Sequence, residues 1–299
     1  MLDRLAGNAE LKQDLQAALR AGRLSHSVLL CGEAGCGAGF AARCLAADRL
    51  YPQGGPQAEA VLAGRAAECC EVRGEGASGE IKIDRVRRVR RQVFDTALSA
   101  EGRAVIFYGA HKLNGPSANA LLKVLEEPPE GVLFVLTATG AAAVLPTIRS
   151  RCEGYTVAPV SAAECEAYLK KEFPACARPG LLARVYAGRI GLARAAAGEP
   201  EAARSLDEAL ELARAVGEKN EYELLVRLAG YEKDKPAAQH LLRDLASVAA
   251  AALEGETSLG LPPKAAARTA ALCGAAVQDM ARNLNQKLLL TCLAARLAG

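Results

Sequence analysis

The chain has 299 residues, enough for two or three domains with ample buried core, and 51% of them are apolar while only 4% are aromatic, with no Trp. Lys and Arg outnumber Asp and Glu by 37 to 34, a net charge of +3, which gives no electrostatic case for nucleic acid. No apolar run reaches membrane-spanning length, and Met1-Leu2-Asp3-Arg4 has no signal pattern, so a soluble cytoplasmic protein with no membrane partner and ten reduced cysteines is expected.

In chain order, Leu11 to Ala21 places Leu11, Leu15, Ala18 and Leu19 at helical spacing. His26 precedes a strand, where such a residue is packed or hydrogen-bonded more often than it ligates. Val28-Leu29-Leu30 reads as a buried strand. Cys31 to Phe40, C-G-E-A-G-C-G-A-G-F, then opens into a helix over Ala41 to Arg49. Strand, glycine-rich turn and helix is the setting of a phosphate loop, G-x-x-x-x-G-K-[ST]. Gly32, Gly35 and Gly37 keep the turn, but Ala38 stands in the Lys place and Gly39 in the Ser/Thr place. The amine that reaches the phosphates and the hydroxyl that ligates Mg²⁺ are both missing.

Tyr51 to Gly79 reads as an insertion with one short helix near Ala58 to Cys70. Ile81-Lys82-Ile83 is a short strand candidate. Asp84 is the expected N-cap of a helix through Ala97, with Val86, Val89, Val93 and Phe94 on one face. Arg85, Arg87, Arg88, Arg90 and Arg91 on that helix read as a solvated face in preference to a nucleic-acid groove. Ala104 to Tyr108 and Val132 to Thr137 are strands of the buried parallel kind, and Ser117 to Glu127 is a helix stopped by Pro128-Pro129. A short strand over Gly154 to Val157 closes an α/β alternation, which implies a parallel sheet with helices on both faces.

After Pro159 the pattern is helical. Ser161-Ala162-Ala163-Glu164 has capping-box spacing. Helices are expected over Leu181–Tyr186, Leu192–Ala197, Glu201–Val216, Tyr222–Leu228, Pro236–Leu253 and the long segment Lys264–Leu297. The expected organisation is an α/β domain (1–159), a small helical domain (160–205) and a C-terminal helical domain (206–299).

Asn119 to Pro129, N-A-L-L-K-V-L-E-E-P-P, followed by Thr147-Ile148-Arg149-Ser150-Arg151-Cys152, resembles the AAA+ clamp-loader subunits of bacterial DNA polymerase III, most closely the delta-prime branch. Leu5 to Asn8 is similar to the family's opening, and Asn283 to Leu290 to its final helix. The resemblance implies an AAA+ α/β domain, a helical lid and an all-α collar. It also implies a hetero-oligomer with gamma/tau-type ATPase subunits and the clamp-opening delta subunit, acting on a sliding clamp and primed DNA.

Members that hydrolyse ATP carry an acidic pair after the second motif strand, which falls here on Tyr108 and Gly109. A phenol and a glycine neither hold Mg²⁺ nor orient water. The lid arginine that senses the γ-phosphate falls on Gly191, with Arg189 and Arg194 close by. The S-R-C arginine alone is intact, as Arg151 between Ser150 and Cys152. An arginine finger of this kind is supplied in trans, so the implied role is an ATP-inert subunit serving a neighbour's nucleotide, with no cofactor of its own. On its own, Arg151 reads as a local salt bridge or cap.

Related subunits carry a four-cysteine zinc module after the phosphate-loop helix. The corresponding stretch here has only Cys44 and the adjacent pair Cys69-Cys70, so no zinc is expected. Cys31 and Cys36 flank the glycine loop without a base to activate them. The competing readings are an active P-loop ATPase with an unconventional site, and a DNA-binding module built on the arginine-rich helix.

Overall fold

The computed structural model describes residues 1–76, 79–95, 101–282 and 284–299. They form two compact units, Met1–Val160 and Ser161–Gly299.

The first unit opens with α1 (Ala9–Arg20) and β1 (Ser27–Cys31), followed by α2 (Ala38–Leu50), α3 (Pro56–Leu62), β2 (Cys69–Val72) and α4 (Ile83–Asp95). Then come β3 (Arg103–Tyr108), α5 (Gly115–Glu126), β4 (Val132–Ala138), α6 (Pro146–Arg149) and β5 (Glu153–Thr156). The strands make one five-stranded sheet in the order β2-β3-β4-β1-β5, parallel throughout. Successive side chains of the central strands alternate between two cores, as the pleat requires. Val28, Leu30, Ala104, Ile106, Leu133 and Val135 pack on one face with Leu15 of α1 and Ala41, Leu45 and Ala46 of α2. Leu29, Val105, Phe107, Phe134 and Leu136 pack on the other with α4 and α5. The continuous apolar runs in β1, β3 and β4 are therefore the signature of burial on both faces.

Four local expectations are corrected. The helix expected near Ala58 to Cys70 ends at Leu62. Gly64, at φ 67°, donates to Val61 and Arg65 to Ala60, the paired bonds that close a helix over a left-handed residue. Cys69 to Val72 instead adds an edge strand to β3. Ile81 makes only an isolated parallel bridge with Leu113, and the following helix already includes Ile83, so Asp84 sits in its first turn, not at its cap. Val86, Val89 and Val93 are buried but Phe94 is 48% exposed. Ala97, the expected end of that helix, lies outside the described residues. His26 Nε2 lies 3.2 Å from the Leu125 carbonyl, a hydrogen-bonded role.

The second unit is helical throughout its described residues: α7 (Ala162–Glu172), α8 (Pro179–Val185), α9 (Ile190–Gly198), α10 (Pro200–Gly217), α11 (Glu221–Ala229), α12 (Lys235–Leu253), α13 (Pro263–Ala281) and α14 (Gln286–Ala298). The capping box at Ser161 and Glu164 is formed in both directions. The segment Lys264–Leu297 is two helices, because Asn285 caps a second one by accepting from the Leu288 amide. Position 205/206, the expected division between the last two domains, falls inside α10. At the centre of this unit Asp244 is 4% exposed and accepts from Tyr186 Oη at 3.0 Å and Ser205 Oγ at 2.6 Å.

Candidate functional site

The glycine loop joins β1 to α2 at the carboxyl end of the sheet, the side on which open α/β sheets bind ligands. Gly32 donates to Ala138, and a β-carbon there would lie 2.4 Å from the Val157 carbonyl oxygen, so this position holds glycine for packing reasons alone. Gly35 and Gly37 adopt φ 92° and 96°, and Gly37 is the N-cap of α2 without a side-chain cap. Ala38 and Gly39 form the first turn of that helix. They present neither an amine nor a hydroxyl.

Tyr108, the last residue of β3, comes against this turn. A β-carbon on Gly39 would stand 3.0 Å from Cε1 of its ring. The phenol oxygen accepts from Arg43 Nε at 3.1 Å, and the Arg73 guanidinium lies over the ring at 3.7 Å from its centroid. Both arginines also bind Glu71 of β2: Arg43 through Nε at 2.6 Å and Nη2 at 2.9 Å, Arg73 through Nη2 at 3.1 Å. Burial pushes the Glu71 carboxyl up, but its bonds with Arg43 and Arg73 outweigh that and hold it below the usual carboxylate range. The Tyr108 phenol is pushed well above its ordinary value, by burial first and the Glu71 charge second. Gly109 follows at φ 83°, held by hydrogen bonds to the Thr137 carbonyl and hydroxyl, both 3.1 Å.

Thus the structure brings Tyr108 against Gly39, with Gly109 next in the chain, and gathers Arg43, Glu71 and Arg73 around the tyrosine. Glu71 is the carboxylate of this cluster and it is taken up by two guanidinium groups. None of these three residues stood out in the sequence. Glu71 sits in a four-residue edge strand too short to show a period, and its partners lie 28 residues before it and two after.

Arg151 lies at the other end of the sheet. It comes two residues before β5, whose last residue Thr156 pairs with Cys31 at the mouth of the loop. The whole length of β5, Glu153–Thr156, separates the two levels, a rise of about 10 Å. Its side chain is 36% exposed; Nε and Nη2 donate to Glu126 Oε1 at 2.9 and 2.7 Å, and Nη1 to the Thr147 carbonyl at 2.9 Å. Ser150 Oγ donates to the same carbonyl at 3.1 Å, and burial raises the Cys152 thiol to about 11. In the helical unit, Gly191 lies in the first turn of α9, Arg189 donates to the Tyr186 carbonyl and Ser247 Oγ, and Arg194 is exposed.

Cys44 and Cys69 are buried in one core, both thiols raised by burial to about 12, while Cys70 faces Gln92. Among the described residues no three His, Cys, Asp or Glu side chains converge as metal ligands, and no helix is long and apolar enough to cross a membrane.

Residues 7–161 match the family described as DNA polymerase III, delta subunit. The DNA polymerase III subunit gamma/tau of Mycobacterium tuberculosis is 35% identical over 159 residues, 50% of this chain and 27% of that protein. The DNA polymerase III subunit delta' of Pseudomonas aeruginosa is 34% identical over 142 residues, 43% of this chain and 42% of that protein. The matches thus span less than half the length of either relative. A crystal structure of a DNA polymerase III gamma subunit-related protein from Thermotoga maritima superposes with a TM-score of 0.56 at 20% identity, over 94% of this chain and 97% of that one. The fold is therefore the expected AAA+ class, a parallel sheet with helices on both faces followed by a helical region.

Proposed function

Because the chain belongs to the DNA polymerase III delta-subunit family of clamp-loader proteins, we propose that it is an ATP-inert, structural subunit of a clamp loader that lends Arg151 to the nucleotide of a neighbouring ATPase subunit. In this reading it assembles with gamma/tau-type subunits and a clamp-opening delta subunit, in the cytoplasm, and the complex places a sliding clamp on primed DNA. Residues 160–205 act as a lid and 206–299 as a collar that joins the subunits.

The observation that carries the reading is the separation of two parts of one site. The loop end is packed with Tyr108 against Gly39, Ala38 and Gly39 offer neither a lysine nor a serine or threonine hydroxyl, and the Glu71 carboxylate is taken up by Arg43 and Arg73. Arg151 stands exposed at the opposite end of the sheet, beyond reach of its own loop but open to another chain. An arginine supplied in trans neutralises charge on the transferring phosphoryl group. The rival reading, an active ATPase with an unconventional site, is weakened by the same packing.

Two measurements test this. Titration of the isolated chain with Mg·ATP should give no binding at millimolar nucleotide. A complex reconstituted with Arg151→Ala should assemble normally but lose DNA- and clamp-stimulated ATP turnover at one site. Tight Mg·ATP binding, or unchanged turnover, would reject the corresponding half of the proposal. Arg151→Lys should rescue only in part, since an ammonium lacks the planar fork.

A further inference from the structure

We infer that Glu126 is a positioning residue for Arg151, holding the guanidinium in the plane and direction in which it meets a neighbour's phosphoryl group; this rests on the trans-finger reading above. Glu126 is the last residue of α5, and Pro128-Pro129 fix the place where that helix stops. A carboxylate at the carbonyl end of a helix is disfavoured by the backbone dipole, so intrinsic helix preference does not explain a glutamate there. Its carboxylate is engaged by Arg151: Oε1 accepts from both Nε (2.9 Å) and Nη2 (2.7 Å). On the opposite side Nη1 is held by the Thr147 carbonyl at 2.9 Å and by Ser150 Oγ at 3.3 Å.

The guanidinium is therefore gripped along the edge it shares with Nε and at Nη1, from two different elements. Four of the five N–H groups serve these contacts, and Nη2 keeps one hydrogen that Glu126 does not take. The Arg151 side chain as a whole is 36% exposed, so the held guanidinium is still open to solvent. A long side chain fixed in this way has already lost most of the rotamer freedom it would otherwise lose on meeting a phosphoryl oxygen. The pair itself is half exposed on the Glu126 side (48%), so it adds little to the stability of the fold. Its removal should show in rate and not in melting.

The experiment compares Glu126→Ala, Glu126→Gln, Arg151→Ala and the double variant Arg151→Ala/Glu126→Ala. Each is the full chain, reconstituted with ATPase and delta subunits and assayed for ATP turnover with sliding clamp and primed DNA. Glu126→Ala should lower kcat at the affected site about three- to tenfold with the KM for ATP within about twofold. Glu126→Gln, whose amide oxygen still accepts from Nε, should keep most of the rate. In the Arg151→Ala background, Glu126→Ala should cost nothing further, and melting of the isolated chain should be unchanged in every variant. A Glu126→Ala complex that turns over at or above the unmodified rate, or an additive loss in the double variant, overturns the inference while leaving Arg151 its role. Unchanged turnover in Arg151→Ala alone rejects the trans-finger reading and this inference with it. If Glu126→Ala does not assemble, a Glu126→Gln complex as slow as Arg151→Ala also overturns it.

Discussion

Tyr108 and Gly39 compete for one place: a β-carbon at Gly39 would lie 3.0 Å from Cε1 and 3.4 Å from Cδ1 of the tyrosine ring. Position 39 is where a phosphate loop carries its metal-binding hydroxyl, and position 108 is where the acidic pair begins. The two departures from that chemistry are thus one packing solution.

Ala38→Lys with Gly39→Ser, which restores the loop's lysine and hydroxyl, should therefore not restore Mg·ATP binding. It should instead destabilise the chain by about 1–3 kcal/mol, the usual effect of overpacking. Binding should emerge only when Tyr108→Asp is added and the ring is gone. Isothermal titration of the double and triple variants decides this, and Mg·ATP binding by the double variant alone would count against it.

The Arg43–Glu71 pair should be visible in the acid limb of stability. The Glu71 carboxyl is held below its ordinary value in the folded state, so its contribution is full above the unfolded value, about 4.3, and is lost as pH falls through the lower folded value. Glu71→Gln should cost about 1–3 kcal/mol at neutral pH, with the gap to the unmodified chain closing below about pH 4. Urea unfolding of both proteins across this range is the check; a gap independent of pH would remove the pair from the ledger of acid stability.

Asp244 should behave in the opposite sense. Burial raises its carboxyl despite the bonds from Ser205 and Tyr186, so its folded value exceeds its unfolded one. Its favourable contribution is complete below the unfolded value and declines as pH rises through the folded one. Asp244→Asn should abolish that decline. Asp244→Ala leaves the Tyr186 and Ser205 hydroxyls without their acceptor and should cost about 1–3 kcal/mol more than the amide. Equal stabilities of the Asn and Ala variants at pH 7 would contradict this.

The proposed collar has a candidate contact face. Tyr222 and Val226 lie one turn apart on α11, Leu288 lies in the first turn of α14 and Leu284 just precedes that helix's N-cap; all four are at least half exposed. Tyr222→Glu with Leu288→Glu should leave the melting of the isolated chain within a few degrees, since these side chains bury little in it. Complex formation with the ATPase subunits in size-exclusion chromatography should be lost. A normal elution profile for the mutant complex would move the interface elsewhere.

The central sheet was legible because β1, β3 and β4 each hold a continuous apolar run, Val28–Leu30, Ala104–Phe107 and Val132–Leu136, in a chain punctuated by Gly and Pro. The helices of the second unit followed from period and caps, Ser161 and Glu164 above all. β2 was not legible: Cys-Cys-Glu-Val is too short and mixed for either period, and it becomes a strand only because β3 offers an edge. The turn at Gly64 was the readable signal that the preceding helix stops early. Within the site, the absent chemistry at Ala38, Gly39, Tyr108 and Gly109 could be read directly. What replaced it could not, since Arg43, Glu71, Arg73 and Tyr108 meet only through the order of strands in the sheet.

That replacement also bears on how the chain can change over generations. A hydroxyl regained at position 39 meets the ring of Tyr108, and a lysine gained at position 38 alone has no metal site beside it. An aspartate gained at position 108 removes the ring from beneath Arg73 and one acceptor from Arg43, and sets a second carboxylate beside Glu71. Each single reversal is unrewarded or harmful, and only several together are useful. On the ATP-inert reading proposed above, the interlocked side chains act as a ratchet: drift at the surface stays open to the chain, whereas nucleotide hydrolysis is not reached by single steps.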